Sequence, residues 1–321
     1  MSEVIKYVDR IGTNCNKWDG LENKFGDPDL MALWVADMDF KVPQCVIDAC
    51  TEYAQFGIYG YYKIPDGYYQ NFIDWQKKYH DVEIKREWIR FSPGVVSPVN
   101  WYVKMKTEPG DAVLVQKPVY YPFLDAINNH GRKLVSSDLI MPGHEHTEIL
   151  NIKGYEDMLV AITAGSKTFN LAGCQNSYVI LPDEKLRAEY DAFMADLRMG
   201  GGNAFGNVAV EAAFGGGREW LDEVLKIIHT NAKIIEDTFA EKLPKAVVTP
   251  LEGTYLQWVD FGAYVKPEEM KAFIQDGCKL AIDFGDWFGG EKWATFARFN
   301  LATSTENIQE AANRIVAYLT K

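Results

Sequence analysis

The sequence predicts an α/β protein: a large domain built on a mostly parallel sheet, followed by a smaller α+β domain. Three observations carry that prediction. Apolar runs of strand length at residues 112–116, 158–165 and 178–182 alternate with stretches of helical periodicity at 68–79, 184–198 and 220–243. A chain of 321 residues is long enough for two units. After the long amphipathic stretch at 220–243 the order changes to strand 254–259, helix 267–275, strand 296–302 and a closing helix. The expected organisation is an arm (1–45), a large domain (46–215) and a small domain (216–321).

Composition narrows the function classes. The chain is 47% hydrophobic and 24% charged, as a soluble globular protein is. Its 33 basic and 45 acidic residues leave a net charge of −12, which speaks against nucleic acid and anionic membrane as partners. No run approaches the ~18 apolar residues of a membrane span, and residues 1–12 hold no signal-like apolar core. The cysteines Cys15, Cys45, Cys50, Cys174 and Cys278 form no CxxC pair, so free thiols in a reducing cytoplasm are expected. His144 and His146, two apart with no cysteine nearby, read as an exposed loop and not a metal site. Gly215-Gly216-Gly217 reads as a breaker.

In chain order, residues 31–40 pack apolar side chains around Asp37 and Asp39, and residues 48–56 read as a helix. A glycine-punctuated loop with Tyr59, Tyr61 and Tyr62 follows. Phe72, Trp75 and Tyr79 give 68–79 its helical face. A short strand at 88–91 leads into Ser92-Pro93-Gly94-Val95-Val96-Ser97, a turn opening a helix, whose backbone N–H groups can bind an anion. The strand at 112–116 reads as buried and delivers Tyr120-Tyr121; a tyrosine there can lie against a planar ring or pack in the core. Another short strand covers 132–135. Residues 200–202 read as a flexible break and 207–214 as a core helix. Ser304 or Thr305 caps the last helix, whose stripe is Ile308, Ala311, Ala312, Ile315 and Leu319.

Two cations stand out. Lys167 closes the apolar run 158–165, where poor hydration disfavours the ammonium form and leaves a nucleophilic amine. Ser166 and the backbone N–H groups after Lys167 could hold a phosphate; the plainer alternative is a surface lysine capping a turn. Arg298 sits in an apolar strand with Phe296 and Phe299 and needs an anion if it faces inward. A guanidinium fork fits a carboxylate, either a ligand's or that of Asp283 or Asp286.

Ser166-Lys167-Thr168-Phe169-Asn170-Leu171-Ala172-Gly173, the Tyr120-Tyr121 pair and Trp34-Val35-Ala36-Asp37-Met38-Asp39-Phe40 together resemble the pyridoxal-phosphate enzymes of fold type I, the aspartate aminotransferase-like fold. Within these the chain resembles the branch of cystathionine β-lyases and other carbon–sulfur lyases, the MalY/PatB-like group. The resemblance implies that Lys167 binds the cofactor and later takes the substrate α-proton. It implies that Ser166, Gly94, Val95 and Val96 hold the cofactor phosphate, with Tyr61 reaching across a homodimer interface to the same group. Tyr120 would stack on the ring, Tyr121 would face the substrate, the Ala36 backbone would lie near it, and Arg298 would hold its carboxylate. The implied reaction releases thiol, pyruvate and ammonia from a sulfur amino acid; an aminotransferase is the alternative.

One departure stands against this. Only 47 residues separate Tyr120 from Lys167, about half the interval the resemblance implies. Two strands are expected there, one ending in an asparagine for the cofactor's phenolic oxygen and one in an aspartate for its pyridine nitrogen. Neither motif is present, and Val135 runs directly into Ser136 as across an internal deletion. Loss of the two strands would leave ~10 Å of unpaired backbone, so the sheet must re-pair or stay open. Asp138 is the only nearby acid that could replace the aspartate. A catalytically inactive remnant that binds pyridoxal phosphate or a protein is therefore a rival expectation.

Overall fold

The computed structural model describes residues 5–139 and 146–321. Short helices α1 (Asn16–Asp19) and α2 (Leu21–Phe25) precede strand β1 (Met31–Ala32), and helices α3 (Gln44–Phe56) and α4 (Asp66–His80) follow. Strand β2 (Ile89–Ser92), helix α5 (Val96–Lys106), strand β3 (Ala112–Lys117), helix α6 (Tyr121–Asn128) and strand β4 (Lys133–Asp138) come next. After the expected gap come β5 (Ala161–Thr163), β6 (Ser177–Ile180) and helices α7 (Glu184–Asp196), α8 (Ala204–Gly216) and α9 (Arg218–Lys242). The last part holds β7 (Val247–Val248), β8 (Leu256–Asp260), β9 (Leu280–Ala281), β10 (Asp283–Phe284), α10 (Asp286–Gly289), β11 (Phe296–Asn300) and α11 (Thr305–Leu319).

The apolar periodicities place these elements to within a few residues. Ser304 is the cap of α11, its hydroxyl accepting from the Asn307 N–H at 3.2 Å. Helix α8 runs through Gly215 and Gly216 and stops only at Gly217, contrary to the expected breaker. Packing explains it: a Cβ on Gly215 would lie 2.6 Å from the Asn71 side chain, so glycine lets α8 approach α4. Residues 267–277 form a 3₁₀ turn and a π-helical turn in place of the expected regular helix.

The sheet is divided. β6 pairs antiparallel with β2 on one side and β5 on the other, so β2 and β5 run the same way. β3 and β4 form a separate parallel pair. No described strand joins β3 to β5, which is where two strands were expected to be missing; the sheet has stayed open. The expectation that 112–116 and 158–165 are buried is corrected accordingly. Leu114 is 65% and Met158 67% exposed, and Ala161–Thr163 is only half-buried. A parallel strand is covered on both faces only when its neighbours and their helices are present.

A continuous core joins the helices to the four-stranded sheet β10-β11-β8-β7. Phe72 stacks on Tyr178 with ring centroids 3.9 Å apart, and Phe169 lies edge-on to Trp75 and Phe214. Phe169, two residues after Lys167, is fully buried, so the lysine turn is anchored from below. The arm is tied to the C-terminal part: β1 pairs in parallel with β9, and the Asp39 N–H donates to the Ala302 carbonyl at 3.0 Å.

Candidate active site

Lys167 lies in the turn after β5, held by backbone bonds from Phe169 to Gly165 and from Leu171 to Ser166, both 2.9 Å. Its ammonium donates to the Ala36 carbonyl at 2.6 Å. The side chain is exposed, not sequestered as the sequence suggested; the open edge of β5 lies just upstream. Enough protein still surrounds the amine for desolvation to lower its pKa from the ordinary lysine value. Arg298 pushes the same way and Asp37 opposes.

The arm backbone that meets Lys167 is fixed from several sides. Tyr255, buried, donates its phenol O–H to the same Ala36 carbonyl at 3.0 Å. Asn300 donates to the carbonyls of Val35 and Asp37 at 2.5 and 2.7 Å. Asn170, in the lysine octet, both accepts from the Met38 N–H at 2.9 Å and donates to the Met38 and Phe40 carbonyls at 2.9 and 3.1 Å. Below them Asp39 is fully buried, accepting from the Lys17 ammonium at 2.7 Å and the Trp18 indole at 3.0 Å. Arg10 pairs with Asp37 at 3.0 Å. Burial raises the Asp37 pKa against the pull of Lys17 and Arg10, and its Oδ1 is buried without a hydrogen-bond partner.

Arg298 is 7% exposed and forms an ion pair with Asp283, its cross-strand neighbour in the β10–β11 ladder. One of the two local acids considered is thus its partner. Its guanidinium also lies 4.5 Å from the Phe288 ring centroid. Its Nε is buried with no acceptor, so the fork keeps a donor for a second carboxylate. Burial pushes the Asp283 carboxyl up to about 6, opposed by Arg298. Tyr121 packs edge-on to Phe288 at 5.7 Å and lies within electrostatic reach of Arg298 and Asp283; burial pushes its phenol up to about 12. Tyr120 is 43% exposed, its ring 5.0 Å from that of Tyr121. The turn carrying both is tied to α10 by the Val119 N–H donating to the Phe288 carbonyl at 3.1 Å.

Lys167, Ala36, Arg298 and Tyr121 therefore form one connected site, with Tyr120 on its margin. Gly94 precedes the N-terminus of the 11-residue helix α5 with φ +108, a conformation that favours glycine, and no atom lies within 4 Å of where its Cβ would be. The Gly94-Val95-Val96 turn thus has the shape of an anion cradle. Among the described residues no hydrogen bond or ion pair links that turn, or Ser166, to Arg298. Tyr61 stands wholly in solvent. Asp138 is exposed and paired with Lys292 at 2.7 Å, so its carboxylate is engaged away from Lys167 and Arg298. His144 lies outside the described residues, and His146 faces Glu148 at 3.5 Å. Among the described residues no cluster of three potential metal ligands exists.

Tyr255, Asn170 and Asn300 were not singled out as site residues by sequence. For Tyr255 and Asn300 the signal available was a polar group within an apolar strand pattern, the same one that marked Arg298; for Asn170 it was its place in the lysine octet. The residues present fit covalent attachment of a carbonyl cofactor at Lys167, with an orphaned arginine donor close by. Asp138, the acid considered for its ring nitrogen, is paired with Lys292 instead.

No family model matches the chain. It is 31% identical to the cystathionine β-lyase PatB of Bacillus subtilis, over 98% of this chain and 99% of that one. It is 23% identical to the protein MalY of Escherichia coli over 98% of each. A pyridoxal-phosphate-bound structure from Clostridium difficile 630 superposes with a TM-score of 0.92 at 29% identity, covering 98% of both chains. Cystalysin of Treponema denticola, which contains pyridoxal 5′-phosphate, superposes at 0.91 with 27% identity, covering 100% of this chain and 99% of that one. The PatB alignment is 386 positions long against a chain of 321, so at least 65 positions have no residue here. With a relative 31% identical to it matched over 98% of its length, and the same fold at a TM-score of 0.92, the chain belongs to the cystathionine β-lyase branch of the fold type I pyridoxal-phosphate enzymes.

Proposed function

We propose that the protein is a pyridoxal-phosphate-dependent carbon–sulfur β-lyase acting on a sulfur amino acid. The observation that carries this reading is the Lys167 amine, lowered in pKa and held on the Ala36 carbonyl beside Arg298, in a chain akin to a cystathionine β-lyase over its full length. Lys167 would hold the cofactor, and its Nζ is the group placed to take the substrate α-proton. The Arg298 Nε and guanidinium edge orient the α-carboxylate. Tyr120 would lie against the cofactor ring, Tyr121 would wall the substrate side, and Gly94-Val95-Val96 with Ser166 would hold the phosphate. When bound, the cofactor would supply the electron sink that makes loss of a β-thiolate feasible, and water would hydrolyse the released aminoacrylate to pyruvate and ammonia.

In this reading the protein acts in the cytoplasm as a homodimer. Phe56, Ile58, Tyr59 and Tyr61 are all more than half exposed, as a loop waiting for a second subunit would be. The arm (1–45), large domain (46–215) and small domain (216–321) are its proposed units. The test is pyruvate release from cystathionine compared with amino transfer that requires a keto acid. Pyruvate without an acceptor supports the lyase; product only with an acceptor replaces it by an aminotransferase. The pairing of Asp138 with Lys292 favours a second reading, a catalytically inactive chain that binds the cofactor without turnover. A measurable turnover number decides against it.

A further inference from the structure

Among the exposed large apolar side chains, Leu114, Val135, Leu139, Ile149, Ile152, Tyr155 and Met158, 43–67% exposed, come from the stretch that starts in β3 and ends just before β5. Leu114 and Val135 are register partners on one face of the β3–β4 pair. On the opposite face Val113 and Leu134 are half-buried. β3 and β5 each have a strand on one side only. Two unpaired edges and a bare apolar face are what a folded protein ordinarily covers.

The size of what would cover them can be read from the relative. At least 65 positions are missing, and one strand–helix–strand unit takes roughly 30 residues or more, so the missing length accommodates two strand–helix units. Two strands would bridge β3 to β5, and their helices would cover Leu114 and Val135. Among the described residues no spare pair of strands is left to fill the seam.

We propose that the seam between β3 and β5 is a docking surface for a separate polypeptide that contributes two parallel strands and the helices covering them. The main-chain groups of β3 and β5 give the pairing, and the Leu114–Val135 face gives the apolar contact. The surface adjoins the Lys167 turn, which starts two residues beyond β5, so occupancy also walls the exposed side of the lysine. The proposal rests on family membership and not on the lyase reading.

The probe is the internal segment of the Bacillus subtilis relative that has no counterpart here, co-expressed as its own chain. The expected result is a one-to-one complex by size-exclusion chromatography with light scattering. Amide exchange should slow at residues 113–117 and 161–163 and stay unchanged in α11. Leu114→Glu with Val135→Glu, both at solvent-facing positions, should leave the circular dichroism unchanged and weaken the complex at least about tenfold. Absence of a complex overturns the proposal. Protection of the same strands without the segment, with a mass of twice the chain, assigns the seam to a second copy and also overturns it. Activity is not a readout, so failure of the lyase reading leaves this test intact.

Discussion

Replacing Lys17 by methionine tests how the arm is held against the active site. Lys17 and Asp39 are both fully buried, 2.7 Å apart, and Asp39 also accepts from Trp18 at 3.0 Å and lies 3.5 Å from Arg10. Methionine keeps most of the volume and removes the charge. The Asp39 carboxylate is then left buried with only the indole and a distant guanidinium. Breaking a buried pair on one side costs about 3–5 kcal/mol, several times an exposed pair. Urea unfolding at pH 7 should show that loss as a lower midpoint with unchanged slope. Lys17→Met with Asp39→Asn should recover most of it, because no charge is then stranded. A loss under about 1 kcal/mol, or a double variant no more stable than the single one, would refute the reasoning. The same single variant should loosen residues 35–40, seen as faster exchange there, and so weaken the seat of Ala36 on Lys167.

Four further outcomes follow. Tyr255→Phe removes one of two donors to the Ala36 carbonyl and should cost about 0.5–1.5 kcal/mol in unfolding experiments without altering the fold by circular dichroism. Asp37→Asn should lower the Lys167 pKa further, because the Asp37 charge raises it; the pH midpoint for pyridoxal phosphate attachment should move down, and an upward shift would contradict the electrostatics. The Asp283 carboxyl, raised by burial from 3.8 to about 6, binds more protons folded than unfolded between those values. That group's contribution therefore makes stability fall as pH rises through this window, by up to ~3 kcal/mol, and Asp283→Asn should flatten the profile. Leu114→Ser should change stability by no more than about 0.5 kcal/mol, whereas a leucine inside a completed sheet would cost several times as much on truncation.

What the sequence reveals depends on how local the determining contacts are. Lys167 was legible because its octet is contiguous and follows an apolar run. Arg298 was legible as a cation inside an apolar strand, and its partner Asp283 was among the two acids considered. Tyr255 was not, since its hydrogen bond to Ala36 spans 219 residues of chain. Asn170 and Asn300 were hidden for the same reason: each pins arm backbone that arrives from more than a hundred residues away. The β3 strand was placed correctly and its burial misjudged. Its Val-Leu-Val pattern suits a sheet with neighbours on both sides, and the chain no longer provides one of them. Glycine at 215 misled for a related reason, because its role is the close approach of α4 and not a local break.

Borohydride reduction of the intact chain with pyridoxal phosphate, followed by intact mass and peptide mapping, tests the central claim most directly. The site geometry predicts a chain of 36.4 kDa carrying one adduct, mapped to Lys167 and abolished by Lys167→Ala. An unmodified chain, or an adduct on another lysine that survives that substitution, would contradict the assignment of Lys167 as the cofactor-binding residue.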